Sequence, residues 1–121
     1  MNKTYRDGLL LLAYCGFIFF LSSQSTLIDT PLDFANKDKV MHASAYAILA
    51  LFAWRFFRHH LQAVHVLGII SVLFASIYGI SDEFHQSFVV GRDADVWDWV
   101  ADTTGASVMV WVLYHWRLRK V

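Results

Sequence analysis

Residues 78–102 carry most of the side chains in this sequence that can do chemistry. The stretch holds six of the ten acidic residues, Asp82, Glu83, Asp93, Asp95, Asp98 and Asp102, together with His85, Gln86 and a lone Arg92 behind Gly91. Two shorter patches upstream are of the same kind: Ser22-Ser23-Gln24, and Asp38-Lys39 followed by His42 and Tyr46. An imidazole among carboxylates can move protons, and histidine is the side chain that titrates near neutral pH. His42 is therefore a candidate general acid or base tuned by Asp38, and Asp82, Glu83 and Asp102 are candidates to assist it or to activate water. A planar guanidinium holds a phosphate or carboxylate through two parallel hydrogen bonds. Arg92 is the candidate anion contact, with Gln86, Tyr46, Lys39, Ser23, Gln24 and Asp98 as further substrate contacts.

Each assignment has a structural counterpart. Asp38 can be a helix N-cap, Arg92 can pair with Asp82 or Glu83, and His42 can be a hydrogen-bonding group of the interior. Asp82, Glu83, Asp98 and Asp102 offer the oxygens that hard cations take. No motif has the spacing of a metal-ligand signature, however, so no metal is assigned and no cofactor is identifiable. On a helix His85 would point away from Glu83 and Gln86, toward an interfacial position.

The elements that must position these groups are strongly apolar. Of 121 residues, 57% are hydrophobic and 17% aromatic, against roughly 45–50% apolar in soluble domains. Mean hydropathy is +0.44. The formal net charge is zero, which argues against a nucleic-acid partner, since such binders carry a basic excess. Cys15 is the single cysteine, so no disulfide forms within this stretch of chain. Lys3 and Arg6 ahead of an apolar run imitate a secretory leader, but an A-x-A cleavage site is missing.

Four apolar segments are expected to be helices, at about residues 8–23, 40–57, 63–81 and 97–116. A helix needs about 17–25 residues to cross the hydrocarbon core, and the centres of these segments lack the polar stripe of a soluble bundle. The expected fold is all-α, a single domain over residues 1–121 forming a four-span transmembrane bundle. Lys3, Arg6, Arg55, Arg58, Arg117, Arg119 and Lys120 lie at the two ends and in the middle loop, whereas Lys37, Lys39 and Arg92 lie on the other side. By the positive-inside rule both termini are expected in the cytoplasm, in a multi-pass protein of the inner (cytoplasmic) membrane. Pro31 and Asn36 are read as turn residues of the first outer loop, and Gly91 as a turn residue of the second.

That topology gathers the polar patches at the outer ends of the helices. Asp38, His42 and Tyr46 are four apart and share a helix face, as do Tyr78, Asp82 and Gln86, and Asp98, Asp102 and Gly105. Ionisable groups at membrane depth are costly and face a bundle interior or a wet cavity. His42 and Asp102 are the most deeply placed.

The set as a whole resembles the VanZ-like family of small bacterial integral membrane proteins. Its elements are Ser22-Ser23-Gln24, Asp38-Lys39 with His42 and Tyr46, Asp82-Glu83 with Gln86, Gly91-Arg92, and Asp98 with Asp102 and Gly105. The match covers nearly the whole chain. Two positions depart from the family pattern: Asp102 stands where asparagine is usual, and Val90 where proline is common. The resemblance implies a membrane protein of the cell envelope, and the family takes its name from a member linked to low-level resistance to the glycopeptide teicoplanin. Three functions stay open. The first is binding or modification of an anionic lipid or lipid-linked envelope intermediate at the outer leaflet. The second is a non-enzymatic accessory protein with a locked polar network. The third is ion or proton transport, disfavoured by the absence of charges in the inner halves of the spans. A homodimer is compatible with the sequence and not required by it.

Overall fold

The computed structural model describes residues 1–24 and 37–120. Four helices make up the described chain: α1 (Lys3–Ser22), α2 (Lys37–Phe57), α3 (Val64–Gln86) and α4 (Val96–Arg119), and no strand occurs among the described residues. α1, α2 and α3, at 20, 21 and 23 residues, are each long and apolar enough to cross a membrane. α4 has 24 residues and carries Asp98, Asp102, Arg117 and Arg119. The turn positions assigned to Pro31 and Asn36 fall outside the described residues.

Local chemistry explains where the helices begin and end. Asn2 caps α1 by accepting from the Thr4 N–H at 2.9 Å, so the helix starts ahead of the apolar run and takes Asp7 into its first turns. Asp95 caps α4 in the same way, accepting from the Trp97 N–H at 2.9 Å. Asp38 does not cap α2: it lies inside the first turn of the helix, beside Lys39. Between α3 and α4 the chain turns at Gly91, whose φ of 84° is the left-handed conformation that glycine adopts without strain.

The distribution of side chains is that of a membrane bundle. Leu9, Leu12, Phe17 and Phe20 on α1, Ile69 and Ile77 on α3, and Val108 and Trp111 on α4 are exposed, while Asp82, Gln86, Asp98 and Asp102 are buried. Apolar patches of this extent are foreign to monomeric soluble surfaces. The buried apolar positions include the small Ala50, Ala53, Ala75 and Ala106, as expected where close backbone approach rather than water exclusion drives helix association.

α2 packs most extensively on α4 and then on α3; α1 lies on α2, touches α3 lightly and does not contact α4 among the described residues. α2 and α4 come close at Gly105, where a Cβ would overlap the Ala43 backbone. Phenolic and indole donors then tie the helices together. Tyr14 donates to the Ala45 carbonyl at 2.7 Å, Tyr78 to the Cys15 carbonyl at 2.5 Å, and Trp99 to the Ser76 carbonyl at 3.0 Å.

The end of the bundle that carries the amino terminus is fastened by one buried carboxylate. Asp7, 1% exposed, accepts from Arg6 at 3.1 Å, Arg55 at 3.0 Å and His59 at 2.9 Å. This joins α1 to the end of α2 and the turn after it. Breaking a buried pair leaves an uncompensated charge, which costs several kcal/mol.

Substituting Gly105 tests the α2–α4 contact. Overpacking where the neighbour is backbone costs about 1–3 kcal/mol or more. Gly105→Val should lower the thermal midpoint of the detergent-solubilised protein and its level in the membrane. Wild-type stability in that variant would contradict the packing.

Candidate functional site

The opposite end of the bundle gathers the acidic groups, and α2 provides the register. Successive turns of this helix present Asp38, His42 and Tyr46 to α3 and α4, which present Asp82, Glu83 and Gln86, and Asp98 and Asp102. Uppermost is Lys39. Its ammonium donates to Asp38 at 3.0 Å, Asp95 at 2.8 Å and Asp98 at 2.5 Å, which ties the first turn of α2 to the start of α4. All three donors of Lys39 are engaged within the protein, so it stabilises the cluster and is not available as the substrate contact expected of it.

One turn deeper, His42 lies between two carboxylates of α4. Nδ1 is 2.8 Å from Asp102 Oδ1, and Nε2 is 3.6 Å from Asp98 Oδ2. Asp102 is completely buried. Its second oxygen, Oδ2, is buried without a partner, and a Cβ on Gly79 would stand 3.0 Å from it. Glycine at 79 therefore leaves Asp102 its place against α3.

Asp82, on α3, is held differently. Tyr46 donates to its Oδ2 at 3.0 Å, Ser22 donates to its Oδ1, and Gln86 donates to the Ser22 hydroxyl at 3.4 Å. The three helices α1, α2 and α3 thus meet on one carboxylate without any lysine or arginine. Neighbouring Glu83 accepts from the Asp95 backbone N–H through Oε2 at 3.0 Å, and its Oε1 is buried without a partner.

Beside this network lies a cavity of about 90 Å³. Its polar lining is Ser22, Asp38, His42, Tyr46, Asp82, Gln86 and Arg92; its apolar lining is Ile18, Leu21, Met41 and Ala45. Arg92 makes no ion pair with Asp82 or Glu83. Its hydrogen bond among the described residues is from Nη1 to the Gln24 carbonyl at 3.5 Å. The arrangement can bind an anion with an apolar tail and can exchange a proton with it through His42.

The residues singled out in the sequence do not all converge. His42, Tyr46, Asp82, Gln86 and Arg92 line the cavity, and Asp98 and Asp102 back it through His42. Ser23 instead donates to the Phe19 carbonyl at 2.7 Å and lies 2.9 Å from His85 Nε2, and the Gln24 amide turns back to the Phe20 carbonyl at 3.0 Å. Neither side chain lines the cavity. His85 stacks on Phe19 with ring centroids 4.5 Å apart, at the edge of the bundle. Ser22 is the residue that composition did not separate from its neighbour. The fold separates them, because Ser22 follows the buried Ile18 by one turn and faces inward with it.

The electrostatics of the upper layer are testable at Asp95, which lies outside the helices. Hydrogen bonding from Lys39 holds its carboxyl below the usual aspartate range. A depressed folded-state value gives stability that is present above the unfolded value and is lost as pH falls through the folded one. In Lys39→Met, the Asp95 carboxyl carbon followed by NMR should titrate at a higher pH than in the wild type. An unmoved titration would contradict the Lys39–Asp95 pair.

The sequence model of the VanZ/LLP1 family matches residues 8–118, a range that includes every residue of the cavity and of the network behind it. No curated protein and no solved structure matches the chain.

Proposed function

The chain belongs to the VanZ/LLP1 family, and we propose that it acts at the outer leaflet of the cytoplasmic membrane, binding or modifying an anionic lipid or lipid-linked envelope intermediate. The observation that carries this reading is the cavity's mixed lining. Ile18, Leu21, Met41 and Ala45 form an apolar wall along the α1–α2 seam, next to Arg92, His42 and the carboxylates. A water-soluble metabolite has no use for such a wall, and a lipid has both halves to offer. The first methylenes of the lipid lie along the seam, and its phosphate or carboxylate meets the Arg92 fork.

His42 then moves the proton. Its ring is oriented by Asp102 at 2.8 Å, as a carboxylate behind a general base orients it for transfer. Tyr46 and Ser22 hold Asp82 at the cavity. Four membrane spans with both termini in the cytoplasm follow from the charge pattern: seven of the ten basic residues fall at the termini and in the turn between α2 and α3. The cavity then faces outward. Altered susceptibility to teicoplanin is a consequence of this chemistry if the intermediate is part of the drug's target or if the drug's own lipid tail enters the cavity.

A second reading, a non-enzymatic binding or accessory protein, is favoured by one observation. Lys39 is engaged with three carboxylates and Asp82 receives two hydroxyls, so much of the cluster is satisfied internally. Comparing the envelope lipids of a deletion strain with its parent by mass spectrometry separates the two. The lipid reading expects a changed profile that wild-type protein restores and that His42→Ala, Glu83→Gln and Arg92→Lys do not, although each accumulates in the membrane. An unchanged profile rejects modification, and loss of all three variants from the membrane makes the cluster structural.

The orientation has its own check. A reporter fused after Val121 should register the cytoplasm; an external signal would place the cavity on the inner leaflet and remove the proposed substrate.

A further inference from the structure

We propose that His42, Asp82, Glu83 and Asp102 form a divalent-cation site between α2, α3 and α4. No pair of these residues other than Asp82 and Glu83 is adjacent in sequence, so nothing in the order of residues resembles a metal motif. The fold nonetheless brings one donor atom from each to within 4.8 Å of every other. Donors on opposite sides of a hard cation stand twice the metal–oxygen length apart, about 4–5 Å. The four groups are therefore spaced to share one ion without movement of a helix.

An acidic cluster alone would carry no such conclusion, but two oxygens in this one are orphaned. Among the described residues, Asp102 is wholly buried with Oδ1 at His42 and nothing at Oδ2, and Glu83 has Oε2 on the Asp95 N–H and nothing at Oε1. Each carboxylate is anchored through one oxygen and offers the other. Buried polar atoms without partners are rare because their desolvation is uncompensated. Anchoring one side of a ligand so that the other is aimed is how outer partners prepare a metal site.

Charge leads to the same place. Asp82, Glu83 and Asp102 have no lysine or arginine partner among the described residues, since Lys39 is engaged with Asp38, Asp95 and Asp98. Residues 25–36 contain neither lysine nor arginine, only two further aspartates. Three carboxylates sharing so small a volume need positive charge from elsewhere. Asp7 at the other end shows the contrast: it is as deeply buried, but both of its oxygens are taken by Arg6, Arg55 and His59. Three oxygens and one imidazole, with no sulfur, suit Mn²⁺, Mg²⁺ or Zn²⁺ rather than a soft ion. The imidazole ligates as the neutral ring through one nitrogen and keeps the other for Asp98 or Asp102.

The cation would stand beside the cavity, where His42 and Asp82 belong to both, and with the ion bound His42 serves as its ligand and no longer as a proton carrier. Any role in drawing in an anionic headgroup rests on the outer-leaflet reading; the binding of the ion does not. The test is accordingly made on the full chain in detergent, stripped with chelator and titrated with Mn²⁺ alone, with free metal followed by electron paramagnetic resonance. The expected result is one Mn²⁺ per chain, with a nitrogen coupling in the pulsed spectrum that disappears in His42→Ala. Glu83→Gln and Asp102→Asn should each weaken binding by about tenfold or more, and Asp93→Asn should leave it unchanged. Absence of saturable binding, bound metal without nitrogen coupling, or wild-type affinity in both carboxylate variants would overturn the site. Should those variants fail to fold, the stoichiometry and nitrogen coupling of the wild type decide. A bound ion with unaltered envelope lipids leaves the cation site and removes lipid modification; altered lipids with no bound ion do the reverse.

Discussion

At Gly105 the fourth helix lies directly on the backbone of the second at Ala43, with no room for a side chain between them, and the polar pairs that α2 and α4 make at that end follow. With the two helix axes this close, His42 reaches Asp102 and Lys39 reaches Asp98, each across the same seam. A wider spacing would strand a fully buried carboxylate in apolar surroundings, at a cost of several kcal/mol. Gly79 performs the same service on the other flank, giving Asp102 its space against α3. Two small residues thus set the depth at which charge enters the bundle.

The two ends of the molecule hold charge in opposite ways. Near the amino terminus one carboxylate is surrounded by cationic groups and both its oxygens are occupied; this is a fastening, closed and satisfied. At the other end, among the described residues, the acids outnumber the single lysine that reaches them, two carboxylate oxygens have no partner, and Arg92 stands beside a cavity without an ion pair. Unbalanced charge and unused hydrogen-bonding capacity are expensive at membrane depth. They are retained where a ligand makes use of them. The cation and the anionic lipid proposed above are ligands that would use them, the first at the carboxylates and the second at Arg92 and the apolar wall.

Much of this was legible in the order of residues because helix periodicity is short-ranged and strong. The four-residue spacing of Asp38, His42 and Tyr46 put them on one face, and the apolar runs located all four helices. The helix ends were less legible. Asn2 and Asp95 decide two of them through single side-chain hydrogen bonds, and α3 runs to Gln86, five residues past the end of the apolar run. Partnership was not legible at all. That Lys39 is wholly engaged, that Arg92 stays clear of Asp82 and Glu83, and that Ser22 rather than Ser23 meets Asp82 depend on distances across three helices. Asp7 is an acid among the basic residues of the amino terminus, and only the fold shows it as the point on which Arg6, Arg55 and His59 converge. The open oxygens of Glu83 and Asp102 are of the same kind, visible only when every possible partner has been placed.

Whether the cavity holds an anionic lipid is read by native mass spectrometry of the protein released from micelles prepared from its own membrane. The wild type should carry one anionic lipid per chain. That adduct should be lost both in Arg92→Met, which removes the anion contact, and in Ala45→Trp, which fills the apolar side of the cavity. A wild-type protein that emerges without lipid, or variants that retain the adduct, would contradict the lipid reading.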